Sequence, residues 1–294
     1  MSDLAPPTAA HRFRAPTEEA PWLRRLMILG TVAVLALLLF APLFVVFAEA
    51  LAKGPMAALA ALATPDAASA VRLTLTVTAL ALPLNILFGL AAAWAITKFD
   101  FPGKALLITL IDLPFSVSPV VAGLCLVLLL GAHSSLGGYL VASGFPVIFA
   151  LPGLVLATTF ITFPFIAREI IPVMIEQGRA EEEAALTLGA GGWRVFRTVT
   201  LPNIRWALLY GVLLANARAM GEFGAVAVVS GRIRGQTATM PITIEMNYNE
   251  YLTIAAFSMA ALLSVLALVT LGVKILLEWK YADQLAAHHR RQGV

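Results

Sequence analysis

Charge is scarce in this 294-residue sequence: Asp, Glu, Lys and Arg make up 13% of it, against 60% hydrophobic residues and a mean hydropathy of +0.88. A water-soluble domain needs a polar outer shell that this composition does not supply, whereas a chain solvated by lipid is apolar outside as well as inside. Cysteine is rarer still. The single Cys125 excludes a disulfide framework or a cysteine-rich metal site, and its apolar surroundings predict a packed, helix-interior residue. The sequence has no phosphate-binding loop, because Gly103-Lys104 is followed by Ala105 and has no glycine at the required upstream spacing. It has no HExxH-type or Cys/His ligand cluster either; His11, His133, His288 and His289 are scattered. No nucleophile–base pair is evident, which predicts a non-catalytic chain. The net charge of +3 is too small to suggest a nucleic-acid partner.

What the sequence does have is long apolar runs. Six segments, near 26–48, 71–97, 105–130, 147–172, 203–230 and 252–277, approach or exceed the roughly 20 residues needed to cross a bilayer. Pro42, Pro83, Pro114, Pro119, Pro152 and Pro164 fall inside them and predict kinks, which membrane helices tolerate when neighbours satisfy the freed carbonyls. With a cytoplasmic N-terminus, 15 of the 20 Lys and Arg residues lie on the cytoplasmic side and 4 on the other, with Arg218 inside a span. The positive-inside rule therefore predicts an all-α membrane protein with both termini cytoplasmic. Ala48-Glu49-Ala50 looks like a cleavage site and Arg24-Arg25 like a twin-arginine signal. The first apolar run is too long for a signal core, however, and is read as a retained span. Residues 1–20 read as a flexible cytoplasmic tail, 21–280 as the transmembrane domain, and 281–294 as a second cytoplasmic tail.

The largest cytoplasmic loop, 177–202, reads QGRAEEEAALTLGAGGWRVFRTVTLP. Three carboxylates, Glu181 to Glu183, suit the positive start of a short helix, and Gly189 suits its exit. Ala185 and Gly189 give it a small-residue face, and Pro202 is placed to open the fifth span. Physics alone allows two readings: an amphipathic helix at the lipid headgroups, or a helix that docks onto a partner.

The fifth span carries Arg218 near its middle, with Glu222 one turn later. On a continuous helix, Arg218, Gly221, Glu222 and Ala225 share one face. Ionisable groups at such depth cost roughly 2.5–3.5 kcal/mol each on insertion scales, so they belong against other helices or a water-filled cavity. Either the two form a neutralised pair that locks helices, or Arg218 lends positive potential to an anion pathway and Glu222 holds its geometry. Gly221 and Gly224 give the helix places to flex. Beyond it, Ser230-Gly231-Arg232-Ile233-Arg234-Gly235 is either a solvated turn or a surface that meets an anion or the protein delivering it. Ser116 and Ser118, after Asp112 in the proline-broken third span, either line a polar pathway or bond back to their own carbonyls.

The spacing Glu183-Ala184-Ala185, three residues, Gly189, nine residues, Val199, one residue, Leu201-Pro202 resembles the EAA signature of ABC importer permeases, with Val199 at the usual isoleucine. FPGK (101–104), LPFSVSPVVAGL (113–124), REIIPVM (168–174), LPNIRWALLYG (201–211) and ARAMGEFGAVAVVSGRIRG (217–235) narrow the likeness. They resemble CysW-type subunits of sulfate/thiosulfate importers. That resemblance implies a MetI-like, type I importer fold of six transmembrane helices in the bacterial inner membrane. It implies a coupling helix ending at Gly189, with Glu183 pairing to a positive group on the ATPase. From the residues themselves, Arg218, Gly221, Glu222, Phe223 and Gly224, with Ser116 and Ser118, are the pathway or gate candidates, and Ser230, Arg232 and Arg234 the candidate periplasmic contacts. The implied partners are a dimer of CysA-type ATPases, a CysT-type permease and a periplasmic sulfate/thiosulfate-binding protein. ATP and Mg would sit on the ATPase and no cofactor on this chain. The alternatives are a homodimeric molybdate or tungstate permease, or an ion-coupled secondary transporter, for which an internal repeat would be expected and none is evident.

Overall fold

The structure, a computed structural model, describes residues 21–292. The expected tail at 1–20 lies outside the described residues, and the expected boundary at 281 falls inside a helix that continues to Gln292. Residues up to Val45 and from Val46 onward form two separate units. The first consists of most of helix α1 (Pro21–Ala50), which is long, strongly apolar and almost entirely exposed.

The second unit is built around α3 (Pro65–Lys98) and α7 (Leu151–Gln177). Local chemistry fixes the start of α3: the Thr64 hydroxyl accepts from the Ala67 N–H, Pro65 supplies a preset first turn, and Asp66 meets the helix dipole. The two helices run parallel in constant register. Asn85 Nδ2 donates to Thr162 Oγ1 at 2.6 Å, and Thr97 Oγ1 meets Met174 Sδ at 3.8 Å, each pair 77 residues apart. Between them a Cβ on Gly89 would lie 2.8 Å from Ile166 Cγ2, at the same offset. Helix α10 (Leu201–Met220) packs on α7 through a similar close approach, where a Cβ on Gly211 would stand 3.0 Å from Ile166 Cα.

Among the described residues, five helices are long and apolar enough to span a membrane, or six if one bent pair is counted as a span. That pair is α4 (Lys104–Ser116) and α5 (Pro119–Leu130), which meet at 110° rather than forming the kinked rod expected over 105–130. Pro119 disfavours the helical conformation at the residue before it, and both Val117 and Ser118 are extended. Cys125, expected in a packed interior, is exposed on α5. The helix instead buries Ala122 and Gly123 against α11 (Gly224–Val229), and a Cβ on Gly123 would sit 2.7 Å from the Ala225 carbonyl oxygen.

The fifth span also departs from expectation at both ends. It begins in the loop, because α9 (Gly192–Val195), a π-helical turn (Phe196–Thr200) and α10 make one helical segment, Gly192–Met220. It then stops at Met220 and resumes as α11, so the helical face drawn through Arg218, Gly221, Glu222 and Ala225 is interrupted. Short helices α2 (Pro55–Leu62), α6 (Ser135–Ala142) and α12 (Met240–Asn249) fill the connections. The last of these buries Met240 and Ile242, and the Met240 N–H donates to Thr74 Oγ1 at 2.8 Å. Helix α13 (Thr253–Gln292) packs on α12 and completes the unit.

Replacing Gly123 with Val is expected to force α5 and α11 apart and destabilise the protein by about 1–3 kcal/mol. Gly30→Ala, where nothing lies within 4 Å of the added carbon, serves as the neutral control. Thermal unfolding in detergent checks this, and equal midpoints for the two variants would refute the close-packing account.

Candidate functional site

The segment expected to dock folds as α8 (Ala180–Thr187), with Glu181, Glu182 and Glu183 in its first turn. It ends in a Schellman motif. The Ala190 N–H donates to the Ala185 carbonyl at 3.1 Å, the Gly189 N–H donates to Leu186 at 2.9 Å, and Gly189 has φ +86°. Glycine is required there by backbone conformation rather than by crowding, since no atom lies within 4 Å of where its Cβ would be. Glu183, Ala184, Leu186, Leu188 and Trp193 are exposed, so α8 and its exit present an apolar, acid-edged outer surface.

The inner surface of α8 is tied down by residues that spacing did not single out. Lys98, the last residue of α3, pairs with Glu182 at 3.0 Å with both side chains largely buried, and its Nζ also donates to the Gly178 carbonyl at 2.7 Å. Thr200 Oγ1 donates to Glu182 at 2.6 Å, and Asn203 Nδ2 donates to Glu181 at 2.6 Å. Arg179 approaches Asp100 at 3.7 Å. The hydrogen bond from Lys104 holds the Asp100 carboxyl below the usual carboxylate range. Trp94 of α3 stacks on Phe196, and Phe196 stacks on Trp193. Val199 and Leu201 are half-buried, while Pro202 is exposed in the first turn of α10. Thus Glu183 faces out, Glu182 faces in, and α8 is bound to both α3 and the fifth span.

The second candidate region is the place where the two broken helices meet. A Cβ on Gly224 would stand 2.8 Å from Pro119 Cβ, so the α4/α5 break touches the α10/α11 break. Arg218 Nη1 lies 2.6 Å from Glu222 Oε2, with the arginine side chain 36% exposed and the carboxylate 1%. That contact is ionic and lacks hydrogen-bond alignment at the Oε2 atom. The other oxygen, Oε1, accepts from the Ala225 N–H at 3.0 Å and caps the start of α11. Ser116, Ser118, Gly221 and Phe223 are exposed around the junction, and α5 begins there with its N-terminus toward it. The junction therefore combines a half-exposed guanidinium with a compensating buried carboxylate. A nearby open cleft of about 430 Å³ is bordered by Phe223, Ile244, Tyr248 and Phe257 and is mainly apolar, so it is poorly matched to an anion.

The turn at 230–235 differs from a bare positive surface. Arg232 pairs with Glu245 at 3.0 Å; Arg234 pairs with Glu250 at 2.7 Å and approaches Asp66 at 3.8 Å. Ser230 is buried, its hydroxyl accepts from the Arg232 N–H at 3.0 Å, and Gly231 turns at φ +67° against Phe149. Both arginines fasten the turn to α12, the residue after it, and the start of α3. A third pair was not anticipated. Arg168 sits nine residues inside α7 and bonds Asp112 at 2.8 Å. Asp112, although it lies within the third apolar run, is 40% exposed.

Residues 85–280 match the family of binding-protein-dependent transport system inner membrane components. The chain is 51% identical over 249 residues to the sulfate transport system permease protein CysW of Escherichia coli (strain K12), covering 85% of this chain and 86% of that one. It is 49% identical over 253 residues to sulfate permease 2, chloroplastic, of Chlamydomonas reinhardtii, covering 86% and 69%. Against the permease protein CysT of E. coli K12 the identity is 35% over 224 residues, covering 76% and 81%. Among solved structures, a chain of a bacterial alginate ABC transporter in complex with an alginate-bound periplasmic protein superimposes with a TM-score of 0.71. Its identity is 17%, and the match covers 87% of this chain and 94% of that one, which establishes the fold. The chain belongs to the binding-protein-dependent inner membrane components and is a CysW-type permease: a MetI-like, non-catalytic membrane subunit of an ABC importer.

Lys98→Met would leave the Glu182 carboxylate largely buried without its ion partner, a change of about 3 kcal/mol. Trypsin is expected to cut the variant faster than the wild type at Arg179 and Arg194, with a Lys98→Met/Glu182→Leu double variant closer to wild type. Equal cleavage of the single variant and the wild type would show that other contacts hold α8.

Proposed function

We propose that this chain forms half of the membrane pathway of an ATP-driven importer for sulfate and thiosulfate, paired with a CysT-type permease. The Lys98–Arg179 end faces the cytoplasm, in keeping with the distribution of Lys and Arg, and both termini lie on that side. There the exposed surface of α8 seats in a CysA-type ATPase dimer, which binds and hydrolyses ATP with Mg. A periplasmic sulfate/thiosulfate-binding protein delivers the anion at the opposite face. The observation that carries this reading is the covalent and packed continuity of the coupling element. Helix α8 is anchored to Thr200 and Asn203, and those residues lie in one helical segment that ends beside Arg218.

That continuity gives the mechanism a route. Closure of the ATPases displaces α8, the Gly192–Met220 segment moves with it, and the motion reaches the break at Gly221–Gly224. There Arg218 supplies positive potential and donors to a dianion, the hydroxyls of Ser116 and Ser118 supply neutral donors, and the N-terminus of α5 adds its dipole. Glu222 compensates Arg218 when no anion is present. A tetrahedral oxyanion of charge −2 suits that set of donors.

ATP-dependent uptake of labelled sulfate into vesicles holding the assembled complex tests the substrate, with molybdate as the competitor. Uptake of molybdate without sulfate would overturn the sulfate reading. Gly189→Val strains a position at φ +86° without any steric clash, by about 1–3 kcal/mol. It is expected to let ATP hydrolysis continue while uptake falls about tenfold; proportional loss of both would count against a coupling role for the Schellman exit.

A further inference from the structure

The Asp112–Arg168 pair lies within helical segments of membrane-spanning length and apolarity and yet is open on the surface of this chain. Arg168 is 54% exposed and Asp112 40%. Arg168 is nine residues from the end of α7, roughly 13 Å along its axis. Ile166 and Ile170 on the same helix are fully buried, so the guanidinium is on the face turned away from the core. A charged pair at this depth is costly against lipid and belongs against water or protein.

Its neighbours on α4 favour water. Thr109, Asp112 and Ser116 are spaced three and four residues apart, which puts them on one face of that helix. All three are at least partly exposed, and the stripe ends at the α4/α5 break beside Gly224. A polar track thus leads from the junction near Arg218 toward the end of the molecule that bears α8. Gly211 of α10 is level with Ile166 of α7, Arg218 lies seven residues beyond Gly211, and Arg168 lies two residues past Ile166 in the antiparallel partner. The two arginines are therefore separated along the helix axes by roughly 13 Å. Asp112 engages Nε of Arg168 at 2.8 Å, and the guanidinium stacks 4.6 Å from the centre of the Phe115 ring. The bond to Asp112 uses one of five N–H donors, leaving the Nη edge outside it.

We propose that Arg168 is a second oxyanion contact, on the cytoplasmic half of the pathway, held in position by Asp112 and Phe115. This rests on the importer reading above. A dianion leaving Arg218 meets Arg168 before reaching the cytoplasm, and Asp112 keeps the contact weak enough to release it.

The test uses the assembled importer in vesicles, with Thr109→Cys introduced on a Cys125→Ser background. Anionic and cationic methanethiosulfonate reagents of similar size are applied from the cytoplasmic side. An anion-selective track lined by Arg168 is expected to give about tenfold faster reaction with the anionic reagent. Adding Arg168→Gln should abolish that preference, Arg168→Lys should restore much of it, and saturating sulfate should slow the anionic reaction. No reaction with either reagent would mean that lipid or the second permease covers this face, and would overturn the proposal. A preference unchanged by Arg168→Gln would overturn it too. In parallel, Arg168→Gln is expected to raise half-saturating sulfate about tenfold in uptake, with Arg168→Lys intermediate. If the wild-type complex carries no sulfate but the Arg168-dependent reagent preference remains, the substrate reading fails and the anion contact stands.

Discussion

The seam between α3 and α7 exists because Gly89 has no side chain to hold the helices apart, and the other elements are positioned from it. Once Ile166 fills the space over Gly89, Asn85 meets Thr162 and Thr97 meets Met174 at the same offset. The same register ends α3 one turn short of Gly178, whose carbonyl Lys98 reaches, and there Lys98 fixes the start of α8. Ile166 also faces Gly211, so one side chain sets the spacing of both neighbouring helices. A packing decision in the core thereby determines where the coupling element sits.

Electrostatics follows the same scaffold. Glu222, Glu182, Glu245 and Glu250 each stand beside a cation, and the pairs serve three different parts of the molecule. Glu182 anchors a helix, Glu245 and Glu250 fasten a turn, and Glu222 both caps α11 and balances Arg218. The distinction lies in exposure. Lys98 is enclosed with its partner, whereas Arg218 and Arg168 keep part of their guanidinium open, which is the property expected of groups that meet a solute.

Much of this was legible in the sequence, because long apolar runs and the fixed spacing from Glu183 to Pro202 are local signals. Gly189 was readable as a helix exit for the same reason. The angle at Pro119 was not, since proline announces a break while the packing of α5 on α11 sets its direction. The break after Met220 contains no proline and read as a flexible continuous helix; Glu222, three residues before the N–H it accepts, is the capping signal that marked it. Lys98–Glu182 and Asp112–Arg168 join residues far apart in the chain, so no window reading pairs them. Helices α2, α6 and α12 are too short to register against a bilayer-length criterion.

The close approach at Gly211 divides the Gly192–Met220 segment unevenly. Gly192 lies nineteen residues before it and Met220 nine residues after it, giving arms of roughly 28 and 13 Å. If that contact acts as a fulcrum, the segment is a lever with about a twofold mechanical advantage. Travel at the coupling end is halved at the Arg218 end, and force is doubled. Such gearing suits a machine whose input is a broad domain movement and whose output is the parting of one tightly packed, ion-paired junction.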